Sequence, residues 1–130
     1  MAINENKKIL VIDDEQDLVE VVRFRLKANG YDVIVAYNGK DGLEKARTQN
    51  PALIILDLML PEIDGYKICR MLKFDKKYKH IPIIIFTARA QEDDKKMGEQ
   101  TGADAYVTKP FEPDKLISII NEMLEKKSKT

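Results

Sequence analysis

The stretch Pro51–Leu60, PALIILDLML, places one carboxylate, Asp57, at the end of an apolar run. An unpaired buried carboxylate costs several kcal/mol, roughly, unless a cation or a metal compensates it. Asp57 must therefore leave the core at a strand's end or meet a partner there. Runs of the same kind recur at Ile9–Ile12, Val33–Ala36, Leu53–Leu56, Ile83–Phe86 and, more weakly, Ala105–Val107. They are rich in Val and Ile and mostly continuous, as strands buried on both faces are.

Helical spacing fills the gaps between these runs. Leu18, Val22 and Leu26 step by four through residues 15–29, and Asn29-Gly30 reads as a helix stop. Gly39–Gln49 and Tyr66–Phe74 fill two more gaps, and Leu116, Ile119, Ile120, Met123 and Leu124 stripe a last helix. Repeated strand–helix alternation predicts a three-layer α/β domain, a parallel sheet covered by helices. Residues 92–101, EDDKKMGEQT, stand apart. Met97 is their only substantial apolar residue and Gly98 follows it, so this fourth helix is expected to be the least firmly held; the simpler reading is that Ala88 and Ala90 help dock it.

Composition narrows the function. The chain has 130 residues, suiting one domain over 1–130 with a core of about 7–127, and contains no linker, repeat or low-complexity segment. It is 44% hydrophobic and 34% charged, with 22 Lys+Arg against 22 Asp+Glu. That balance argues against direct nucleic-acid binding. No apolar stretch approaches the ~20 residues of a membrane span, and the N-terminus lacks a signal peptide's apolar segment. A single cysteine, Cys69, precludes an internal disulfide and fits a reducing cytoplasm. With no Cys/His set around it, Cys69 reads as a small buried hydrophobe.

Ligands of an open parallel sheet sit outside the carboxyl ends of its strands. The first strand ends in Asp13-Asp14, the third in Asp57 and the fourth in Thr87, and Lys109 follows the fifth. Two carboxylates about 4 Å apart repel by roughly 4 kcal/mol at an effective dielectric near 20. Three carboxylates with one lysine stay over-negative, which a hard divalent cation relieves. Oxygen-only donors point to Mg²⁺ or Mn²⁺, not zinc. Carboxylates, a cation, a hydroxyl and a lysine together make a device for holding a phosphoryl group.

The motifs VIDDE, LDLMLPEIDG, FTA and DAYVTKPF, in this order, give the chain a strong resemblance to the receiver domains of bacterial two-component response regulators, of the single-domain chemotaxis type. The resemblance implies a flavodoxin-like (βα)5 fold with strand order 2-1-3-4-5. It also implies that Asp57 accepts the phosphoryl group and that Asp13, Asp14, Asp57 and the Met59 backbone carbonyl hold Mg²⁺, or Mn²⁺ in its place. Thr87, the Ala88 backbone and Lys109 would contact the phosphoryl oxygens, and Thr87 and Tyr106 would form the switch. By the same likeness the Lys109–Pro110 bond is expected to be cis.

A carboxylate is already ionised at neutral pH, its ordinary pKa being ~3.9, so the acceptor needs no general base. Histidine is accordingly missing from the constellation. The output surface is expected at residues 90–118, where Thr87 and Tyr106 would shift the loop, fourth helix and fifth strand. Met59 cannot orient an attacking water, and Arg89 can cover the phosphoryl group, so self-dephosphorylation is expected to be slow, over hours.

Simpler readings exist for several of these residues. Asp13-Asp14 can cap a helix; Thr87 can be a strand-end hydroxyl, Lys109 a solvated charge and Tyr106 plain core. Asp64-Gly65 reads as a turn and helix start, His80 lacks metal-binding companions, and the Lys-rich KFDKKYKH reads as a solvated face. A degenerate receiver acting as a phosphorylation-independent scaffold is one alternative function. A haloacid-dehalogenase-like phosphatase is another, but it needs a second Asp where Met59 stands. A nucleotide carrier would need a glycine-rich loop after the first strand, where carboxylates stand instead. The expected partners are a histidine kinase or histidine phosphotransfer protein and a downstream protein target. The chain is expected to act as a monomer or a weak phosphorylation-dependent dimer, away from membranes.

Overall fold

In the computed structural model, residues 7–87, 102–109 and 112–129 are described. The predicted fourth helix over 92–101, Ala88, Arg89 and the Lys109–Pro110 peptide bond lie outside them. The chain alternates β1 (Lys8–Ile12), α1 (Gln16–Ala28), β2 (Asp32–Ala36), α2 (Gly39–Thr48), β3 (Leu53–Asp57), α3 (Gly65–Lys73), β4 (Ile83–Thr87), β5 (Ala105–Thr108) and α4 (Pro113–Lys129). The five strands form one sheet in the order β2-β1-β3-β4-β5. Every pair is parallel, with Ile12 level with Leu56, Asp57 with Phe86, and Thr87 with Thr108. This is the flavodoxin-like order expected from the sequence.

The continuous apolar runs are explained by two separate cores. Leu10, Ile12, Ile54, Leu56, Ile83 and Ile85 point to one face, where Leu43 and Ala46 of α2 and Ile68, Cys69 and Leu72 of α3 cover them. Their neighbours Ile9, Val11, Leu53, Ile55, Ile84 and Phe86 point to the other, beneath Val19, Val22 and Leu26 of α1 and Leu116, Ile117, Ile120 and Leu124 of α4. Alternation survives in direction but not in polarity, because both faces are dry. Each fully buried Leu or Ile contributes about 1.5–3 kcal/mol. β3 sits in the middle, with Leu53 to Leu56 at most 1% exposed. Its place at the centre of the sheet makes it a firm platform for Asp57.

The helix ends follow the local signals. Asn38 and Asp64 cap α2 and α3, their side chains accepting from the Asp41 and Lys67 amides at 2.8 and 2.9 Å. Asn29 closes α1, and Gly30 follows at φ 89°, a left-handed turn that glycine accommodates without strain. The stripe on α1 is centred on Val19, with Leu18 only half-buried against the core. β2 is less enclosed than the sequence run suggests. It is an edge strand, and Val33 to Val35 are only partly buried.

Most of KFDKKYKH is solvated as expected, Phe74, Lys76, Lys77, Lys79 and His80 being exposed, and Lys73 is the exception. Its ammonium donates to the carbonyls of Lys79 and Ile81 at 2.8 and 3.1 Å and to Asp104 at 2.9 Å. The same Asp104 oxygen accepts from the Ile83 amide at 2.8 Å. One lysine thus ties the end of α3 to the starts of β4 and β5.

Candidate functional site

Parallel packing puts the carboxyl ends of β1, β3 and β5 on one edge of the sheet, β1 beside β3 and β5 beyond β4. Asp13 follows Ile12 directly, Asp57 is the last residue of β3, and Lys109 follows Thr108. Asp13 and Asp57 are 1% and 3% exposed, the buried charged residues of the described core. Asp14 beside them is open to solvent. One carboxylate oxygen from each of Asp13, Asp14 and Asp57 lies within 4.8 Å of the others.

Each carboxylate is held from its own chain segment. Asp13 Oδ1 accepts the Glu15 amide at 2.9 Å, and Asp57 Oδ1 accepts the Met59 amide at 3.1 Å. The Lys109 ammonium donates to Asp13 Oδ2 at 2.9 Å and to Glu15 Oε1 at 3.2 Å, and stands 3.5 Å from Asp57 Oδ2. It also lies 5.0 Å from the centre of the Phe86 ring, whose face favours a cation.

The electrostatics of the site follow from the crowding of these carboxylates. Burial pushes the Asp13 carboxyl up to about 6, and the neighbouring Asp57 charge adds to this, against the Glu15 amide and Lys109, which pull it down. Burial alone would lower Lys109, but Asp13, Asp57 and Glu15 outweigh it and hold the ammonium above its ordinary value. Among the described residues, Lys109 supplies the one ammonium paired with Asp13 and Asp57. Hard oxygen donors, one of them solvent-facing, suit a divalent cation of the Mg²⁺ kind.

The structure therefore brings Asp13, Asp14, Asp57 and Lys109 together. Met59 is beside them through its backbone, its side chain being largely exposed. Thr87 ends the neighbouring strand β4, level with Thr108. Tyr106 is half-buried on β5, packed against the α2–α3 core, and lines a groove of about 300 Å³ with Val107, Lys115 and Leu116.

Two contributors escaped the sequence reading. Glu15 meets Lys109, although an acid before a helix reads as a cap. Gly65 packs against the end of β3: its amide donates to the Leu58 carbonyl at 3.1 Å, and a Cβ there would run into the Asp57 carbonyl oxygen. The pairing of Gly65 with Asp64 in a turn was the only signal available.

The family model described as the response regulator receiver domain matches residues 9–121. The chain belongs to that family. As a receiver domain it is 44% identical over 121 residues to the alkaline phosphatase synthesis transcriptional regulatory protein PhoP of Bacillus subtilis, an alignment covering 93% of this chain and 50% of that protein. The chain thus spans about half the length of this curated relative. The CheY-like receiver domain protein of Methanospirillum hungatei superposes with a TM-score of 0.89 at 28% identity, covering 96% of this chain and 98% of that one. The receiver domain of Francisella response regulator 1452 does so with a TM-score of 0.87 at 34% identity, covering 94% and 99%. No helix among the described residues is long and apolar enough to cross a membrane.

Proposed function

We propose that this receiver domain accepts a phosphoryl group on Asp57 from a histidine kinase or histidine phosphotransfer protein and changes its partner surface in response. The observation that carries the reading is the three-carboxylate cluster with Lys109 bridging Asp13 toward Asp57. Asp57 is the nucleophile, fixed on the central strand β3 with Met59's amide on one oxygen, and the second oxygen stands 3.5 Å from the Lys109 ammonium. Asp13, Asp14, Asp57 and the Met59 carbonyl would hold Mg²⁺, or Mn²⁺ in its place, and the charge it supplies when bound offsets that on the phosphoryl oxygens.

Lys109 and the Ala88 amide contact those oxygens, and the Thr87 hydroxyl donates to one of them. That contact exists only after transfer, so it biases a two-state element. Tyr106 follows Thr87, and the surface within residues 90–118 is remodelled; the groove at Tyr106, Lys115 and Leu116 is its described part. The domain catalyses only its own phosphorylation and dephosphorylation, the latter slowly because of Met59 and Arg89. It works in the cytoplasm, as a monomer or a weak phosphorylation-dependent dimer. Its balanced charge gives its own surface no nucleic-acid-binding character.

The test is intact mass after incubation with acetyl phosphate and Mg²⁺. One added phosphate is expected, absent from Asp57→Asn and from a chelated sample, and decaying over hours. An adduct that persists in Asp57→Asn would assign the acceptor elsewhere, and decay within seconds would remove the roles given to Met59 and Arg89.

A further inference from the structure

We infer that Glu15 is a positioning residue for phosphoryl transfer, holding Lys109 in the resting site and weighting the site against highly charged small phosphodonors. The inference rests on Asp57 being the acceptor and adds a residue and a donor preference to that reading.

Glu15 stands at the N-cap of α1, where short side chains such as Asp or Ser accept the free helix amides and the longer Glu is released for other contacts. It makes no such bond. Its carboxylate turns instead to the Lys109 ammonium at 3.2 Å, closer than Asp57 at 3.5 Å. The three carboxylates around Lys109 differ in what they can lose. Asp13 and Asp57 are buried, at 2% and 3% side-chain exposure, whereas Glu15 is 61% exposed and has water as a ready substitute partner. Lys109 itself is 12% exposed, so its hydrogens are directed by these few oxygens.

Transfer forms an O–P bond from an Asp57 carboxylate oxygen while the bond from phosphorus to the leaving group breaks (P–O in acetyl phosphate, P–N in phosphoramidate or phosphohistidine), the leaving group keeping the electron pair. The oxygens that arrive compete for Lys109. The exposed pair with Glu15 yields, while the buried pair with Asp13 stays. Until then Glu15 adds a solvent-facing negative charge beside the acceptor, and its repulsion grows with the charge of the donor.

Glu15→Gln keeps the shape and an acceptor oxygen but removes the charge. The rate of phosphorylation of wild type and variant is measured with acetyl phosphate, a dianion near neutral pH, and phosphoramidate, a monoanion. Glu15→Gln is expected to raise the acetyl phosphate rate about three- to tenfold, and the phosphoramidate rate less. The difference should shrink near 1 M salt, where the screening length falls to about 3 Å. In metal-free protein, reductive methylation read by peptide mass should label Lys109 faster in the variant, relative to the other lysines. Equal factors for both donors, a lower rate, or unchanged Lys109 labelling would each overturn the role of Glu15. A wild type that takes phosphate from neither these donors nor a histidine kinase would instead sink the assignment of Asp57.

Discussion

Asp13 is the residue whose charge is most at odds with its surroundings. Its carboxyl is raised from 3.8 to about 6. A native group that binds its proton more tightly than the unfolded chain contributes most at low pH and loses that contribution as pH rises through about 6. The metal-free protein should therefore lose stability, on this group's account, between pH 4 and 7. Asp13→Asn should gain roughly 2 kcal/mol over wild type at pH 7, with the gain vanishing near pH 4. Urea titrations at several pH values measure this, and parallel pH profiles for the two proteins would contradict it. The same substitution should weaken phosphorylation of Asp57, separating stability from function. Asp13, Asp14, Asp57 and Lys109 were legible in the sequence because each ends or follows an apolar run. Glu15 was not, since its partner lies 94 residues away and a cap explains an acid there equally well. Lys73 was misread for a similar reason, its Asp104 partner being 31 residues on in a different loop.

At the scale of elements, the strands were legible because their runs are continuous, and continuity follows from burial on both faces. The weaker enclosure of β2 was not, because a run of Val and Ile does not say whether a strand has one neighbour or two. The contact of the α3 start with β3 was equally hidden. Gly65→Ala must push the helix start off the backbone of Asp57 and Leu58, which should cost about 1–3 kcal/mol and slow Asp57 phosphorylation. Denaturation midpoints together with acetyl phosphate kinetics check both parts. If stability falls while the rate holds, the Gly65 contact supports the fold without aligning the acceptor. On the opposite edge of the sheet, Asp104→Ala removes the carboxylate from a largely enclosed Lys73 and from the Ile83 amide. The expected loss is about 1–2 kcal/mol, tempered by the partial exposure of Asp104, with the phosphorylation rate unchanged. A loss below a few tenths of a kcal/mol would mean that water replaces Asp104 freely.

At the scale of the whole molecule, cation binding and folding should be linked. A ligand bound only by the native state stabilises it by about 2.7 kcal/mol at a hundred times its dissociation constant. The melting temperature should therefore climb with the logarithm of Mg²⁺ concentration, and the climb should flatten in Asp13→Asn. Calorimetry with and without chelator measures it, and an equal climb in both proteins would remove Asp13 from the cation's ligands.

Lys109 and Asp13 meet across 96 residues, which has a consequence for a chain still being made. While the last strand is inside the ribosome, β1 and β3 can pair outside it, and Asp13 and Asp57 then face each other without the ammonium between them. The expected consequence is that the two carboxylates repel until Lys109 arrives between them, so that the pair of strands gains its full stability only with the far end of the sheet.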